Sequence, residues 1–204
     1  MAIKLTLQKT ERILFCGSKW WGDPDMPENM QYPTMEVTED GETYDYPLTF
    51  ICQINCEDLT AFDPEGKLPH DGMLYFFGAI DDYTGYESPI ENPCGEWPKG
   101  RVVVKYAKNI NFETFQTCML VGDDDEQLTE KELEIVFSEC DDSEQCISML
   151  NECNDPEYPD STVLLQLSTD PESGLDLGSR LLRFIFKDSD LKFGNWKRVK
   201  AKLS

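Results

Sequence analysis

The chain has 204 residues, 40% hydrophobic and 11% aromatic, with forty acids against eighteen lysines and arginines for a net charge of −22. A chain of this size and apolarity can bury a substantial core, which excludes global disorder. Its acidity excludes general nucleic-acid binding and docking on anionic membranes, both of which need a basic surface.

Ile3-Lys4-Leu5-Thr6-Leu7 alternates with period two and predicts a strand. It lacks the long apolar stretch and cleavage pattern of an export signal, and no run approaches the roughly 18 apolar residues of a membrane span, so a cytoplasmic location is expected. Residues 12–16 form a second apolar run leading into Ser18-Lys19-Trp20-Trp21-Gly22-Asp23-Pro24-Asp25-Met26-Pro27, whose prolines and glycine predict an ordered irregular loop. Acidic residues 36–46 predict an exposed loop or hairpin tip. Strands are expected at 47–54, at 73–77 after the turn Pro69-His70-Asp71-Gly72, and at 101–106, with 118–121 a further candidate. Residues 78–99, rich in Gly, Pro, Asp and Tyr, predict a long surface excursion. Helices are expected late. Residues 128–137 carry the capping box Thr129-x-x-Glu132, and Cys146, Ile147 and Leu150 share one face at helical spacing. Strands return at 163–167 and 181–186.

An internal repeat is visible. Phe50-Ile51-Cys52-Gln53-Ile54, then Gly72, an aromatic strand and Asp81, parallels Leu164-Leu165-Gln166-Leu167, then Gly178, an aromatic strand and Asp188. The expected class is α+β: duplicated, mainly antiparallel β-units sharing one core, with few short helices. Residues 1–204 are read as a single domain with pseudo-repeat halves of about 1–120 and 121–204.

Several segments resemble the YwqG-like family of bacterial cytoplasmic proteins of undefined function. Residues 18–27 are similar to its S-K-aromatic-G-G-x-P-x-x-P opening, with Trp21 in place of a usual glycine. Residues 47–55 resemble its P-L-x-F-x-x-Q-I-(N/D) strand, and 68–77 its L-P-x-x-G-x-L-x-F-F segment. Residues 164–167 and 184–191 resemble its closing stretches. The family's H-x-x-G-G-x-P segment is not found, and an acidic stretch at 123–159 stands there instead. The resemblance implies duplicated β-units and no reaction. Association of some members with toxin systems suggests an immunity-like role.

The loop at 19–27 is the leading candidate binding site. Lys19 supplies a cation, Trp20 and Trp21 potential interface anchors, and Asp23 and Asp25 carboxylates, all on a stiff backbone. The alternative is that a tryptophan plugs the core beneath the loop. Gln53 and Gln166, mid-strand among apolar neighbours, need internal hydrogen-bond partners or face a shared pocket. Residues 121–160 hold fifteen acids and one base, whereas 180–204 hold eight bases and two acids. Asp123, Asp124, Asp125, Glu126, Asp141 and Asp142 are therefore candidates for docking a cationic partner, or else a solvated surface.

The eight cysteines include no C-x-x-C pair, and the apolar surroundings of several suggest buried thiols rather than disulfides or a zinc site. His70, the one histidine, sits in a turn poorly suited to a Cys–His dyad. Phosphate-binding loops and an EF-hand pattern are missing from the sequence, so no catalytic residue, metal or cofactor is expected. The expected function is a non-enzymatic module that binds a basic protein partner. The alternatives are a small-ligand or enzymatic pocket between the repeated units, and a purely structural or oligomer-forming protein.

Overall fold

The computed structural model describes residues 1–122 and 127–204. Its strands in chain order are β1 (Ala2–Gln8), β2 (Lys19–Trp20), β3 (Asp25–Pro27), β4 (Thr34–Glu39), β5 (Glu42–Pro47), β6 (Thr49–Asn55), β7 (Met73–Gly78) and β8 (Gly95–Glu96). There follow β9 (Val102–Ala107), β10 (Phe115–Thr117), β11 (Leu133–Cys140), β12 (Ser148–Glu152), β13 (Ser161–Leu167), β14 (Leu182–Lys187) and β15 (Lys200–Leu203). Among the described residues the one α-helix, α1 (Asp188–Lys192), is five residues long. Among the described residues no helix is long and apolar enough to cross a membrane.

Strands hold 41% of residues and helical turns 8%, which corrects the expected α+β class: the domain is one large, curled antiparallel half-barrel sheet. The sheet runs β8-β15-β14-β13-β12-β1-β11-β2-β6-β7-β9, with the ribbons β10-β3 and β4-β5 beside it. The correction arises at residues 128–152. The expected first helix is instead β11, in which Leu133 and Ile135 are buried and Val136 is exposed, a period of two. Every residue of β1, Ala2 to Gln8, pairs with it. The Thr129 hydroxyl caps no helix and donates to Asp23 Oδ1 at 3.3 Å. The expected second helix is β12, which pairs with both β1 and β13. Local spacing cannot detect such partners, because strand pairing is long-range in sequence.

About the central β1–β11 pair the sheet reads the same from either side. The strands β12 and β2, β13 and β6, β14 and β7, and β15 and β9 hold corresponding places, and β8 is an extra strand on one edge. Registers correspond as well. Lys19 faces Gln53 as Ser148 faces Gln166. A register shift falls between Phe50 and Cys52 in one half and between Val163 and Leu165 in the other. Trp21 and Leu150, two residues after Lys19 and Ser148, both adopt left-handed backbone, with φ of 57° and 58°.

Strand β7 is buried over its whole length. Its Leu74 and Phe76 join the main core with Leu5, Trp20, Ile135, Leu165 and Phe184. On its opposite face Met73, Tyr75 and Phe77 join a second core with Met26, Leu48, Phe50 and Phe115. Burial on both faces explains why this strand reads as a continuous apolar run.

Gly72, at the entry to β7, has φ of 76°, and a Cβ there would lie 2.1 Å from the carbonyl oxygen of Ala107. Gly72→Ala should therefore cost about 2–4 kcal/mol, because both obstacle and strain are backbone. Gly41→Ala, in open space at φ 85°, should cost about 1 kcal/mol. Urea unfolding midpoints measure both, and equal losses would contradict this packing.

Candidate functional site

Strand β2 is only two residues long because Trp21 and Gly22 turn the chain with φ of 57° and 72°. A Cβ on Gly22 would lie 2.9 Å from Cβ of Glu132, so glycine is what lets the turn pack on that segment. The turn holds by backbone hydrogen bonds from Trp21 N to Ile51 O and from Gly22 N to Glu130 O.

Behind the turn lies a buried polar cluster. Lys19 is only 2% exposed, and its Nζ is 2.9 Å from Asp25 Oδ2 and 3.3 Å from Glu132 Oε2. Asp25 is fully buried; its Oδ2 also accepts from Gln53 Nε2 at 2.8 Å and Cys16 N at 2.9 Å, and its Oδ1 from Thr117 Oγ1 at 2.8 Å. Gln53 Oε1 accepts from Asp25 N at 2.8 Å, while Tyr75 OH donates to Asp25 O at 2.7 Å. Asp23 anchors a second segment, accepting from Leu120 N, Gln127 Nε2 and Thr129 Oγ1. Lys19 and Asp25 of the candidate loop and Gln53 of β6 thus meet in one internal network.

Both tryptophans are buried. Trp20 sits in the main core, and Trp21 packs edge-on against it at 5.3 Å between ring centroids and donates its Nε1–H to Ser173 O at 2.8 Å. Gln166 is elsewhere: its Nε2 donates to the carbonyls of Glu144 and Cys146, and Arg183 Nε donates to its Oε1. Four strands, β12, β1, β11 and β2, separate Gln166 from Gln53, roughly 24 Å along a sheet at ordinary strand spacing. The two glutamines do not line a common pocket.

The turn forms one wall of a cleft of about 260 Å³, together with Tyr46, Phe50, Asp81, Tyr86, Leu128 and Glu130. Among the described residues three carboxylates reach its lining, Asp81, Glu87 and Glu130, and no lysine or arginine does. The Asp81 carboxylate accepts hydrogen bonds from the hydroxyls of Tyr46 and Thr49. Burial holds its carboxyl above the usual range, against the opposing effect of the Tyr46 hydrogen bond. Tyr86 donates to Glu130, and that bond, followed by burial, pushes its phenol up to about 12. Each phenol therefore remains a donor, and the cleft presents carboxylate charge beside apolar surface. In the sequence Asp81 stood out only as the residue that closes the first repeat unit, and Tyr46, Tyr86 and Glu130 carried no signal of their own.

Of the proposed acidic face, Asp123, Asp124, Asp125 and Glu126 lie outside the described residues. Asp141 is exposed, whereas Asp142 is paired with the Met1 amino group at 2.6 Å and accepts from Glu152 N at 2.9 Å. His70 Nε2 lies 3.4 Å from Asp63 Oδ2. Burial pushes the Cys16 thiol up to about 11 and the Cys56 thiol to about 12, away from nucleophilic thiolate chemistry.

The fold and cleft define a curled, antiparallel β domain with an acid-lined aromatic pocket. A family model described as "Domain of unknown function (DUF1963)" matches residues 18–157, and the chain belongs to that family. The match includes the Lys19–Asp25–Gln53 network and the residues named in the cleft. No curated protein matches the chain.

Replacing Lys19 by Met would leave the Asp25 charge buried without its closest cation and should cost about 3–5 kcal/mol. Glu132→Gln, at a third-exposed side chain, should cost less than about 1 kcal/mol. Denaturant midpoints that fell equally for the two variants would contradict this hierarchy.

Proposed function

We propose that this protein is a non-enzymatic binding module whose cleft beside Trp21 receives a cationic side chain from a basic protein partner. The observation that carries the reading is the cleft's composition: Asp81, Glu87 and Glu130 stand with Tyr46, Phe50 and Tyr86, without a lysine or arginine. A guanidinium or ammonium group gains from both the carboxylates and the aromatic faces. The net charge of −22 would steer such a partner toward the surface. At about 260 Å³ the cleft falls below the range typical of drug-sized ligands, which favours a single side chain over a large substrate.

The proposal takes residues 1–204 as one domain of two related halves, about 1–120 and 121–204, with YwqG-like proteins as kin. An immunity-like inhibitor of a basic toxin or effector is its specific form, resting on that resemblance. A second reading places a small organic cation in this cleft, in place of the pocket expected between the repeated units.

The test is calorimetric titration with a capped arginine-rich peptide at low and high salt. Affinity should fall as salt rises, and Asp81→Asn should weaken binding about tenfold, equivalent to about 1.4 kcal/mol. Because the charged carboxylate is the binding form and burial raises its pKa, affinity should begin to fall at a higher pH than an ordinary carboxylate would give. Binding indifferent to salt and to Asp81→Asn would overturn the proposal.

A further inference from the structure

Strand β9 ends one side of the large sheet and pairs only with β7. Ala79 N donates to Arg101 O at 2.8 Å, which fixes the alternation. Residues 101, 103, 105 and 107 turn their backbone groups toward β7, while Val102, Val104 and Tyr106 turn theirs outward. Among the described residues these outward groups make no hydrogen bond.

The opposite end of the sheet is treated differently. There β15, which corresponds to β9, is covered by β8 and the residue after it: Lys202 faces Glu96, Leu203 faces Gly95, and Trp97 N donates to Ala201 O at 2.8 Å. That added segment also brings a carboxylate, since Glu96 Oε1 lies 3.0 Å from Lys200 Nζ. In the place equivalent to β8, beside β9, lies a cleft of about 600 Å³. It touches the consecutive residues Val102 to Tyr106. Successive residues point to opposite faces of a sheet, so a cleft touching all of them lies at the strand's edge.

Among the described residues three cations line this cleft, Lys99, Lys105 and Lys197, and no carboxylate does. None of the three forms an ion pair among the described residues, although Lys105 Nζ donates to Gln31 O. In a chain of net charge −22 this is an uncompensated basic groove. Its floor is apolar: Trp196 stacks on Phe186 at 5.5 Å and packs against Tyr106 at 5.7 Å.

We propose that the β9 edge binds an extended acidic segment of a partner protein as an added strand, in the position that β8 occupies at the other edge. The backbone of Val102, Val104 and Tyr106 supplies the ladder, and Lys99, Lys105 and Lys197 select for carboxylates. Lysine also serves to guard free edges against unwanted pairing. Here three lysines and an apolar floor line one open groove, which allows a complementary strand while rejecting neutral or basic ones. The site is separate from the acid-lined cleft and does not depend on it.

The experiment is amide hydrogen exchange on the whole protein with a capped peptide alternating glutamate and valine. At a peptide concentration ten times Kd, exchange at Val102, Val104 and Tyr106 should slow by roughly tenfold, and the matching lysine–valine peptide should leave it unchanged. Lys105→Glu with Lys197→Glu should abolish the effect of the acidic peptide. Val104→Pro should do the same, since an outward N–H on an edge strand is one that proline can replace. Equal slowing by both peptides, or slowing confined to other strands, would overturn the proposal. So would protection that appears without peptide and grows with protein concentration, which would identify a second copy of this chain as the occupant.

Discussion

The Asp25 carboxylate holds one half of the large sheet together. Fully buried, it is tied to Lys19 on β2, Gln53 on β6, Thr117 on β10 and the backbone of Cys16, while the main-chain carbonyl of Asp25 accepts from Tyr75 on β7. A buried charge of this kind is tolerable only when its counter-ion and lone pairs are all supplied. Each of these elements is therefore constrained to one arrangement. The consequence reaches the surface: fixing Lys19 and Asp25 fixes the Trp21–Gly22 turn between them, and that turn is a wall of the acid-lined cleft.

The second half uses the corresponding place differently. Ser148 takes the position of Lys19 opposite Gln166, and Gln166 bonds to the carbonyls of Glu144 and Cys146 and to Arg183. The register shift and the left-handed residue are kept, while the buried ion pair is not. The same sheet geometry thus supports a charged network on one side and a neutral strand-to-loop tie, capped by an arginine, on the other. The edges diverge too, since β8 closes one and the other stays open above three lysines.

Much of this was legible in the sequence, and the gaps have physical causes. The alternation at Ile3, Leu5 and Leu7, the apolar strands around Gln53 and Gln166, and the turn at Gly72 are local signals, and they lie where the structure has strands and turns. Gln53 declared itself as a polar residue that needed internal partners. The error at β11 came from Thr129-x-x-Glu132, a pattern that suits the start of a helix. The pairing of β11 with β1 along seven residues decides the matter, and that partner lies more than a hundred residues away. The segment 19–27 was read as an irregular loop with a binding constellation, whereas it holds the short strands β2 and β3, and Lys19, Trp20 and Asp25 are buried. Composition shows which groups gather but not whether the fold turns them in or out. Tyr46, the Asp81–Tyr86 turn and Glu130 come from three separate segments, so only the folded chain could assemble them.

The cleft beside Trp21 is proposed as the receptor for a cationic side chain. The most direct measurement is an NMR titration of the isotopically labelled protein with N-acetyl-arginine amide, following the Trp21 indole and the amides of Asp81, Thr84 and Glu130. Saturable shifts are expected at these residues, with Val102, Val104 and Tyr106 on the basic edge undisturbed. Shifts spread evenly over the acidic surface, or none at the cleft, would contradict the proposal.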